Sequence, residues 1–249
     1  MPSDVMVWDL ETIPDIAGFA RAKGLVGQSP NEIRAAMGDE FPKLIYHSIV
    51  CIGALGATRT SNGWEVQAVG APHVGQRPEK ELIESFVNKI ARLSPQLVSY
   101  NGGAFDLPVL RYRAMLHNVF APGLHNRAYY HRYTEDNVDL CDVLSSFNFG
   151  AKVKLDELSR IMGLPGKPDG IDGSQVEAYF NAGRIQEIAD YCKSDVINTY
   201  RLWLRHELFR GRMDHAQFEY SERDVTRVVG SAAARKQTSP VLTHPQDRT

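Results

Sequence analysis

Residues 5–12 read VMVWDLET, a stretch apolar enough for a buried β-strand that nevertheless contains two acids, Asp9 and Glu11. Side chains alternate along a strand, so residues two apart share a face and lie roughly 6 to 7 Å apart. If both carboxylates are ionised, their repulsion is on the order of 2 kcal/mol at an effective dielectric constant of about 20, and burial adds a desolvation cost. A positive group should therefore lie beside the pair. Without it, we expect the pKa of at least one carboxylate to be raised.

The remaining elements are predicted from apolar periodicity, caps and turn residues. Ser29, Pro30 and Glu32 form a capping-box pattern at the start of one helix. Asn62 and Gly63 supply the turn of an antiparallel hairpin. After the first strand, the predicted order is a helix at 29–41, a hairpin at 48–72, a helix at 77–95, a strand at 96–100, a helix at 101–118, a strand and helix at 137–146, short helices at 154–164 and 173–183, and a long helix at 184–208.

This order of elements predicts an α/β fold with a mixed sheet. The first strand and the strand ending at Tyr100 are joined through a crossover helix, so they can lie parallel and adjacent. In open α/β sheets, ligands bind where the carboxyl ends of such strands meet. We therefore expect Asp9, Glu11, Asp106 and Asp195 to lie near one another at that edge.

Tyr191 and Asp195 are four residues apart on the predicted long helix, which places them one turn apart on the same face. A cluster of carboxylates with no histidine or cysteine ligand nearby suits hard cations such as Mg²⁺ or Mn²⁺. Two such ions can bind both the attacking and the leaving oxygen during displacement at phosphorus. The cluster therefore predicts metal-dependent phosphoryl chemistry.

Each acid also has a simpler explanation when it is taken alone. Asp106 could cap the helix that follows the NGGAF turn, and Tyr191 and Asp195 could be a surface pair. Asp9 and Glu11 could lie on a solvated edge strand. The joint placement at one sheet edge favours the metal site over these three alternatives.

Three short segments are similar to the exonuclease motifs of the DEDD superfamily. WDLET resembles the first motif, NGGAFDLPVL the second in its form typical of family B DNA polymerases, and YCKSD the third, Y-x3-D. They occur in the right order, and KVKLDELSRIMGL resembles the helical stretch that precedes the third motif. Over residues 5–208, the chain resembles predicted 3′-to-5′ exonucleases related to the proofreading domain of family B polymerases. The resemblance implies a ribonuclease H-like fold, a mixed sheet of five to six strands flanked by helices.

The resemblance also implies a role for each matching residue and a cofactor of two divalent metal ions, Mg²⁺ or Mn²⁺. Asp9 would bind both ions, Glu11 and Asp195 would complete the site of the ion that activates water, and Asp106 would hold the second ion. Tyr191 would orient the attacking water through its hydroxyl. An unperturbed tyrosine has a pKa near 10, so it suits orientation better than general base catalysis at neutral pH.

By the same resemblance, Thr12, Asn101 and Phe105 are candidates to contact the 3′ end of a nucleic-acid strand, with Phe105 expected to pack beneath Asp106. The implied activity is a phosphodiester hydrolase that releases 5′-mononucleotides from single-stranded DNA ends. An exoribonuclease with the same mechanism remains an alternative, because recognition of a 2′-hydroxyl depends on details of the cleft. A non-catalytic nucleic-acid-binding module is the alternative from another class.

Domain organisation is predicted as an exonuclease domain at 1–210, then residues 211–249, with an amphipathic helix at 213–229 and a disordered tail from 231. The segment 13–47 is longer than a simple turn, and its role is left open. The loop at 119–133 mixes basic and aromatic residues, which fits either single-strand binding or an ordinary surface loop.

Charge, cysteine content and hydropathy bound the remaining possibilities. A net charge of -2 does not by itself indicate a polyanion partner, although a nuclease can confine positive charge to one cleft. The three cysteines lack CxxC spacing and are expected to be small core residues. No basic start followed by an apolar run and no membrane-length apolar segment is present, so we expect a cytoplasmic location and no membrane partner. Protein partners are left undetermined.

Overall fold

A five-stranded mixed sheet forms the centre of the computed structural model, which describes residues 3–166 and 173–238. In the sheet, the strands follow the order β3-β2-β1-β4-β5. β2 is antiparallel to both β1 and β3, whereas β4 runs parallel to β1 and to β5. The predicted α/β class with a mixed sheet of five to six strands flanked by helices is confirmed, with five strands. They are β1 Asp4–Pro14, β2 His47–Arg59, β3 Trp64–Gly70, β4 Gln96–Ser99 and β5 Asn137–Asp139.

Helices flank the sheet and follow the predicted order. The capping box is present, because the Ser29 hydroxyl accepts from the Glu32 amide while the Glu32 carboxylate accepts from the Ser29 amide. A further helix, which the sequence analysis did not predict, begins after Asp15, whose carboxylate accepts from the Gly18 amide. The helices are α1 Ile16–Lys23, α2 Pro30–Met37, α3 Glu79–Leu93, α4 Asp106–Leu116, α5 Leu140–Leu144, α6 Leu155–Ile161, α7 Val176–Asn181, α8 Ile185–Phe209 and α9 His215–Thr238.

Alternation along β1 divides its side chains between two core regions. Val5 and Val7 pack on the α8 side, in a cluster that includes Trp203. Met6 and Trp8 pack on the opposite side, against α3 and α4. Because the alternation continues along the strand, Asp9 and Glu11 lie on the same face as Val5 and Val7. The two acids therefore face α8.

The strand β1 extends beyond the two acids. β1 continues to Pro14 through its antiparallel partner β2, with a register shift between Glu11 and Thr12. Its parallel partner β4 pairs only with residues 5–7, because β4 ends at Ser99 and the chain turns at Asn101, which has a φ of 66°. Beyond residue 7, β1 consequently has no pairing with β4, and the cleft lies along this unpaired side of the strand.

The last helix, α9, packs against the edge strand β3. The Trp64 amide donates to the Ser221 hydroxyl and the Val66 amide donates to the Asp224 carboxylate, each at 2.8 Å, and Val225 is fully buried. The helix continues to Thr238, so the tail predicted from residue 231 is wrong in its starting point, and residues beyond 238 lie outside the described part of the chain. The domain division at residue 210 stays a prediction. Among the described helices, none is both long and apolar enough to span a membrane.

Candidate active site

The site residues predicted from the three motifs all line one open cleft of about 710 Å³ at the end of the sheet. The cleft extends along the part of β1 that β4 leaves unpaired, with α8 on one side and the start of α4 on the other. The chain thus brings together residues that are far apart in sequence, namely Asp9, Glu11, Thr12, Asn101, Phe105, Asp106, Tyr191 and Asp195.

Asp9 and Glu11 are neighbours, as the alternation of β1 predicts. One carboxylate oxygen of each lies within 4.8 Å of the other, in a group that also includes the sulfur of Cys192. Glu11 is buried, and this burial raises its pKa well above the ordinary value, with further increases from the charges of Asp9 and Asp195. Burial first, and then the repulsion inferred from the sequence, thus both favour the protonated form of Glu11.

Asp106 occupies the first turn of α4, but its carboxylate does not cap that helix. Instead its Oδ1 accepts a hydrogen bond of 2.9 Å from the Leu10 amide, which lies three residues beyond the last pair between β1 and β4. A strand amide without a strand partner needs another acceptor, and Asp106 provides it. Burial raises the Asp106 pKa to about 7, even though the Leu10 hydrogen bond acts to lower it.

Tyr191 and Asp195 are both buried on the face of α8 that contacts β1, which rules out the surface-pair alternative. Burial and then the negative charges of Asp195, Glu11 and Asp9 raise the Tyr191 pKa far above its ordinary value, and a hydrogen bond with Asp195 contributes in the same direction. The hydroxyl therefore keeps its proton at neutral pH. It can donate a hydrogen bond, and the raised pKa disfavours the ionised form.

The expectation of a site without cysteine nearby is wrong. The Cys192 thiol donates to Asp9 Oδ2 at 3.6 Å, and burial raises the Cys192 pKa well above its ordinary value, so the group remains a thiol. Cys192 precedes Asp195 by three residues, a helical spacing that places both on one face and that could have revealed the contact. As expected, Cys51, Cys141 and Cys192 are all buried.

Thr12, a candidate for contact with the 3′ end, is bonded to a residue that the sequence analysis missed. Its hydroxyl lies 3.0 Å from His47 Nδ1, while His47 Nε2 lies 3.1 Å from the Pro42 carbonyl. Because the carbonyl can only accept, Nε2 carries the proton and Nδ1 accepts from Thr12. No local pattern predicts this contact, since it depends on the pairing of β1 with the start of β2.

Asn101 is held at the rim of the cleft by two hydrogen bonds. Its amide donates to Asp139 Oδ1 at 2.7 Å, and its side-chain oxygen accepts from Lys152 Nζ at 3.0 Å. Asp139 also caps α5, because its carboxylate accepts from the Cys141 and Asp142 amides. Lys152 also forms an ion pair with Asp142 at 2.9 Å, so both contacts hold its ammonium group at the rim of the cleft.

The loop at 119–133 has mixed roles. Tyr129 is fully buried and its hydroxyl donates to the Pro95 carbonyl at 2.7 Å, whereas Tyr133 is exposed. Arg127 pairs with Asp136, which fastens the loop to the body of the protein. Tyr129 and Arg127 thus have structural roles, and Phe105, another candidate for nucleic-acid contact, lies on the cleft wall beside the ring of His47 at 5.1 Å.

Comparisons with known proteins agree with the motifs. Residues 39–243 match the family described as predicted 3′-5′ exonucleases related to the exonuclease domain of PolB. A DNA polymerase of Archaeoglobus fulgidus is 28% identical over 138 residues, which represent 49% of this chain and 17% of the polymerase. The chain thus spans a small part of that relative.

Solved structures of exonuclease I are similar at low identity. A product-bound structure aligns with a TM-score of 0.36 and 15% identity, over 84% of this chain and 48% of that one. A structure described as an ExoI/SSB-Ct complex aligns with a TM-score of 0.36 and 14% identity, over 86% and 46% of the two chains.

The resemblance based on WDLET, NGGAFDLPVL and YCKSD is therefore confirmed by a match that covers most of the sequence, including the second and third of these segments. This chain belongs to the family of predicted 3′-5′ exonucleases related to the exonuclease domain of PolB.

Proposed function

We propose that this protein is a 3′-to-5′ exonuclease that uses two divalent cations, Mg²⁺ or Mn²⁺, to release 5′-mononucleotides from single-stranded DNA ends. One observation carries the proposal: four acids from three separate motifs, together with Tyr191, line a single cleft. The acids are Asp9, Glu11, Asp106 and Asp195.

The donor set fits hard divalent cations. Carboxylate oxygens are the ligands that such ions prefer, and the ligand oxygens of Asp9 and Glu11 are close enough to share one ion. The raised pKa values of Glu11 and Asp106 mean that protein cations do not compensate these buried charges. Cys192 remains a thiol, a weak ligand for a hard ion, so its presence does not conflict with Mg²⁺ or Mn²⁺.

The chain's own residues would then have distinct roles. Asp9 would bind both ions, Glu11 and Asp195 would complete one ion site, and Asp106, oriented by the Leu10 amide, would contribute to the other. Bound divalent ions supply an activated water and stabilise charge on the phosphate. Tyr191 keeps its proton and would donate a hydrogen bond that orients the attacking water.

The direct test is degradation of a 5′-labelled single-stranded oligonucleotide in Mg²⁺ or Mn²⁺. We expect a ladder of products shortened from the 3′ end, and we expect Asp9→Ala to reduce the rate at least about a thousandfold, since several kcal/mol of transition-state stabilisation would be lost. Asp190→Ala is the matched control, because Asp190 is an exposed acid beside Tyr191 on the same helix. If Asp9→Ala degrades the strand as fast as wild type, the assignment is wrong.

The substrate is tested with matched DNA and RNA strands, single-stranded and duplex. Faster hydrolysis of RNA than of DNA would replace the proposed substrate by RNA with the same mechanism. Tight binding of divalent metal and strand without hydrolysis of either polymer would indicate a non-catalytic binding module instead.

A further inference from the structure

Phe41 is an exposed aromatic residue that lines the same cleft as the four acids. It lies between α2 and β2, and 73% of its surface is accessible. Its ring is 5.0 Å from the ring of His47 and 5.7 Å from the ring of Phe105, and the latter two are 5.1 Å apart and perpendicular. We call Phe41, His47 and Phe105 the aromatic cluster. It contributes one exposed apolar ring to the cleft that the acids Asp9, Glu11, Asp106 and Asp195 also line.

Hydrogen bonds that involve β1 and α7 hold the aromatic cluster and the segment around Phe41 in place. On the β1 side, Thr12 donates to His47 Nδ1, and His47 Nε2 donates to the carbonyl of Pro42, the residue after Phe41. Burial lowers the His47 pKa, so the ring is neutral at pH 7 and contributes an uncharged surface. The residues that follow Phe41 are therefore attached to the strand that carries Asp9 and Glu11.

The residues that precede Phe41 are attached to α7. Arg34 Nη1 donates to the Gly38 carbonyl at 2.8 Å, and Gly38 adopts a positive φ of 77° at the end of α2. The same guanidinium binds Glu177 of α7 through two hydrogen bonds of 3.0 and 3.1 Å. The backbone on both sides of Phe41 is thus held before any ligand binds, which lowers the entropic cost of binding.

The charges around Phe41 indicate which part of a nucleotide it would contact. Its two preceding neighbours, Asp39 and Glu40, are exposed acids that also line the cleft and would repel a phosphate. The nearby cation, Arg34, is paired with Glu177. An aromatic face beside acids suits an uncharged, flat group, and a cleft of about 710 Å³ has room for a nucleotide.

We propose that the aromatic cluster, through Phe41, is a stacking site for the base of the 3′-terminal nucleotide whose phosphodiester lies at the carboxylates. This inference rests on the proposed exonuclease function and gives the segment 13–47 a role in substrate binding. Stacking on an aromatic ring accepts any base, because every base has a π-face. The site would therefore position single-stranded ends without a sequence preference.

The test compares two single strands that differ only in whether the 3′-terminal nucleotide has a base or is abasic. We expect Phe41→Ala to lower kcat/KM about 5- to 150-fold on the normal strand, the loss expected for one base stack, and to change it less than about twofold on the abasic strand. Phe41→Trp should retain the wild-type preference for the normal strand. Phe209→Ala is the matched control, since Phe209 is 88% exposed at the end of α8.

A binding measurement separates this inference from the proposed activity. Fluorescence anisotropy of the same labelled strands with Asp9→Ala, with and without Phe41→Ala and in EDTA, reports affinity without turnover. A base-dependent loss of affinity on Phe41→Ala supports the stacking site even if wild type proves inactive. Equal effects of Phe41→Ala on normal and abasic strands, or no effect on either in a protein that degrades DNA, would overturn the stacking site and leave the nuclease assignment standing.

Discussion

At the scale of single residues, the site is defined by carboxylates that bind protons more strongly in the folded chain than in the unfolded one. Glu11 and Asp106 are buried, and the pKa of each is raised, that of Asp106 to about 7. Where the folded state binds more protons, stability decreases as pH rises. The stability that each carboxyl contributes through its proton is therefore fully present only below the unfolded pKa near 4. This contribution is lost as the pH rises through the folded pKa.

The sign of this effect predicts the behaviour of Asp106→Asn. In EDTA, we expect the free energy of unfolding of wild type to fall by a few kcal/mol between about pH 5 and about pH 8, at about 1.4 kcal/mol per unit of pKa shift. The asparagine oxygen can still accept from the Leu10 amide, so the variant should fold, show a smaller decrease and be the more stable protein at about pH 8. Urea unfolding at the two pH values measures this, with the exposed Asp190→Asn as control. Equal slopes in wild type and Asp106→Asn would contradict the raised pKa.

Tyr191→Phe tests whether the hydroxyl orients water or accepts a proton. We expect kcat to fall roughly 10- to 100-fold, because a misplaced nucleophile reacts slowly, while KM changes little. Since the raised pKa keeps the wild-type hydroxyl protonated, the pH profile of kcat should retain its shape in the variant. Loss of one limb of the profile in Tyr191→Phe would instead identify the tyrosine as a base.

At the scale of elements, a buried arginine connects the helices on one side of the sheet. Arg113 of α4 donates to Asp15, the cap of α1, at 2.6 Å, and to both oxygens of Glu79 at the start of α3. Glu79 also accepts from the Ile49 amide of β2 at 2.7 Å. This network attaches α1, and with it the segment 13–47, to the core.

Arg113→Met should destabilise the protein by about 3 to 5 kcal/mol, because it leaves the buried Asp15 and the partly buried Glu79 without their shared cation. Arg111→Met, an exposed change on the same helix, should cost less than about 0.5 kcal/mol. Urea unfolding of both variants gives the comparison. Similar midpoints for the two variants would show that the network contributes little.

At the scale of the whole molecule, α9 packs against the edge strand β3 of the sheet. Ser221 and Asp224 accept from amides of β3, and Val225 joins the core cluster that includes Trp64 and Trp203. An uncovered edge strand is a template for pairing with other chains. The helix thus covers a polar edge and fills the adjacent core.

A chain truncated after residue 210 tests the predicted domain division. From the contacts of α9, we expect it to lose several kcal/mol of stability, since two strand amides lose their acceptors and apolar core surface is exposed. Size-exclusion chromatography and urea unfolding report association and stability. A monomer with the full-length midpoint would instead show that residues 1–210 fold independently.

The sequence correctly predicted the features that depend on residues close together in the chain. The capping box of α2, the hairpin of β2 and β3, and the inward face of α8 were all correct, because each follows from a local pattern of caps, turns or periodicity. The prediction of a site without cysteine and the predicted starting point of the tail were wrong. The contact of Cys192 with Asp9 depends on which distant segment packs alongside β1.

The sequence by itself determined the chemical identity of the site: acids two apart on a strand and a tyrosine and an acid four apart on a helix share a face through backbone periodicity alone. Only the tertiary structure decided how these pieces meet. Because β4 pairs only with residues 5–7 of β1, the Leu10 amide donates to Asp106 instead of to that strand. The pairing of β1 with β2 places His47 beside Thr12, and the ring of Phe41 lies beside His47. Such contacts join residues far apart in the chain, and their energies depend on burial that no local pattern contains.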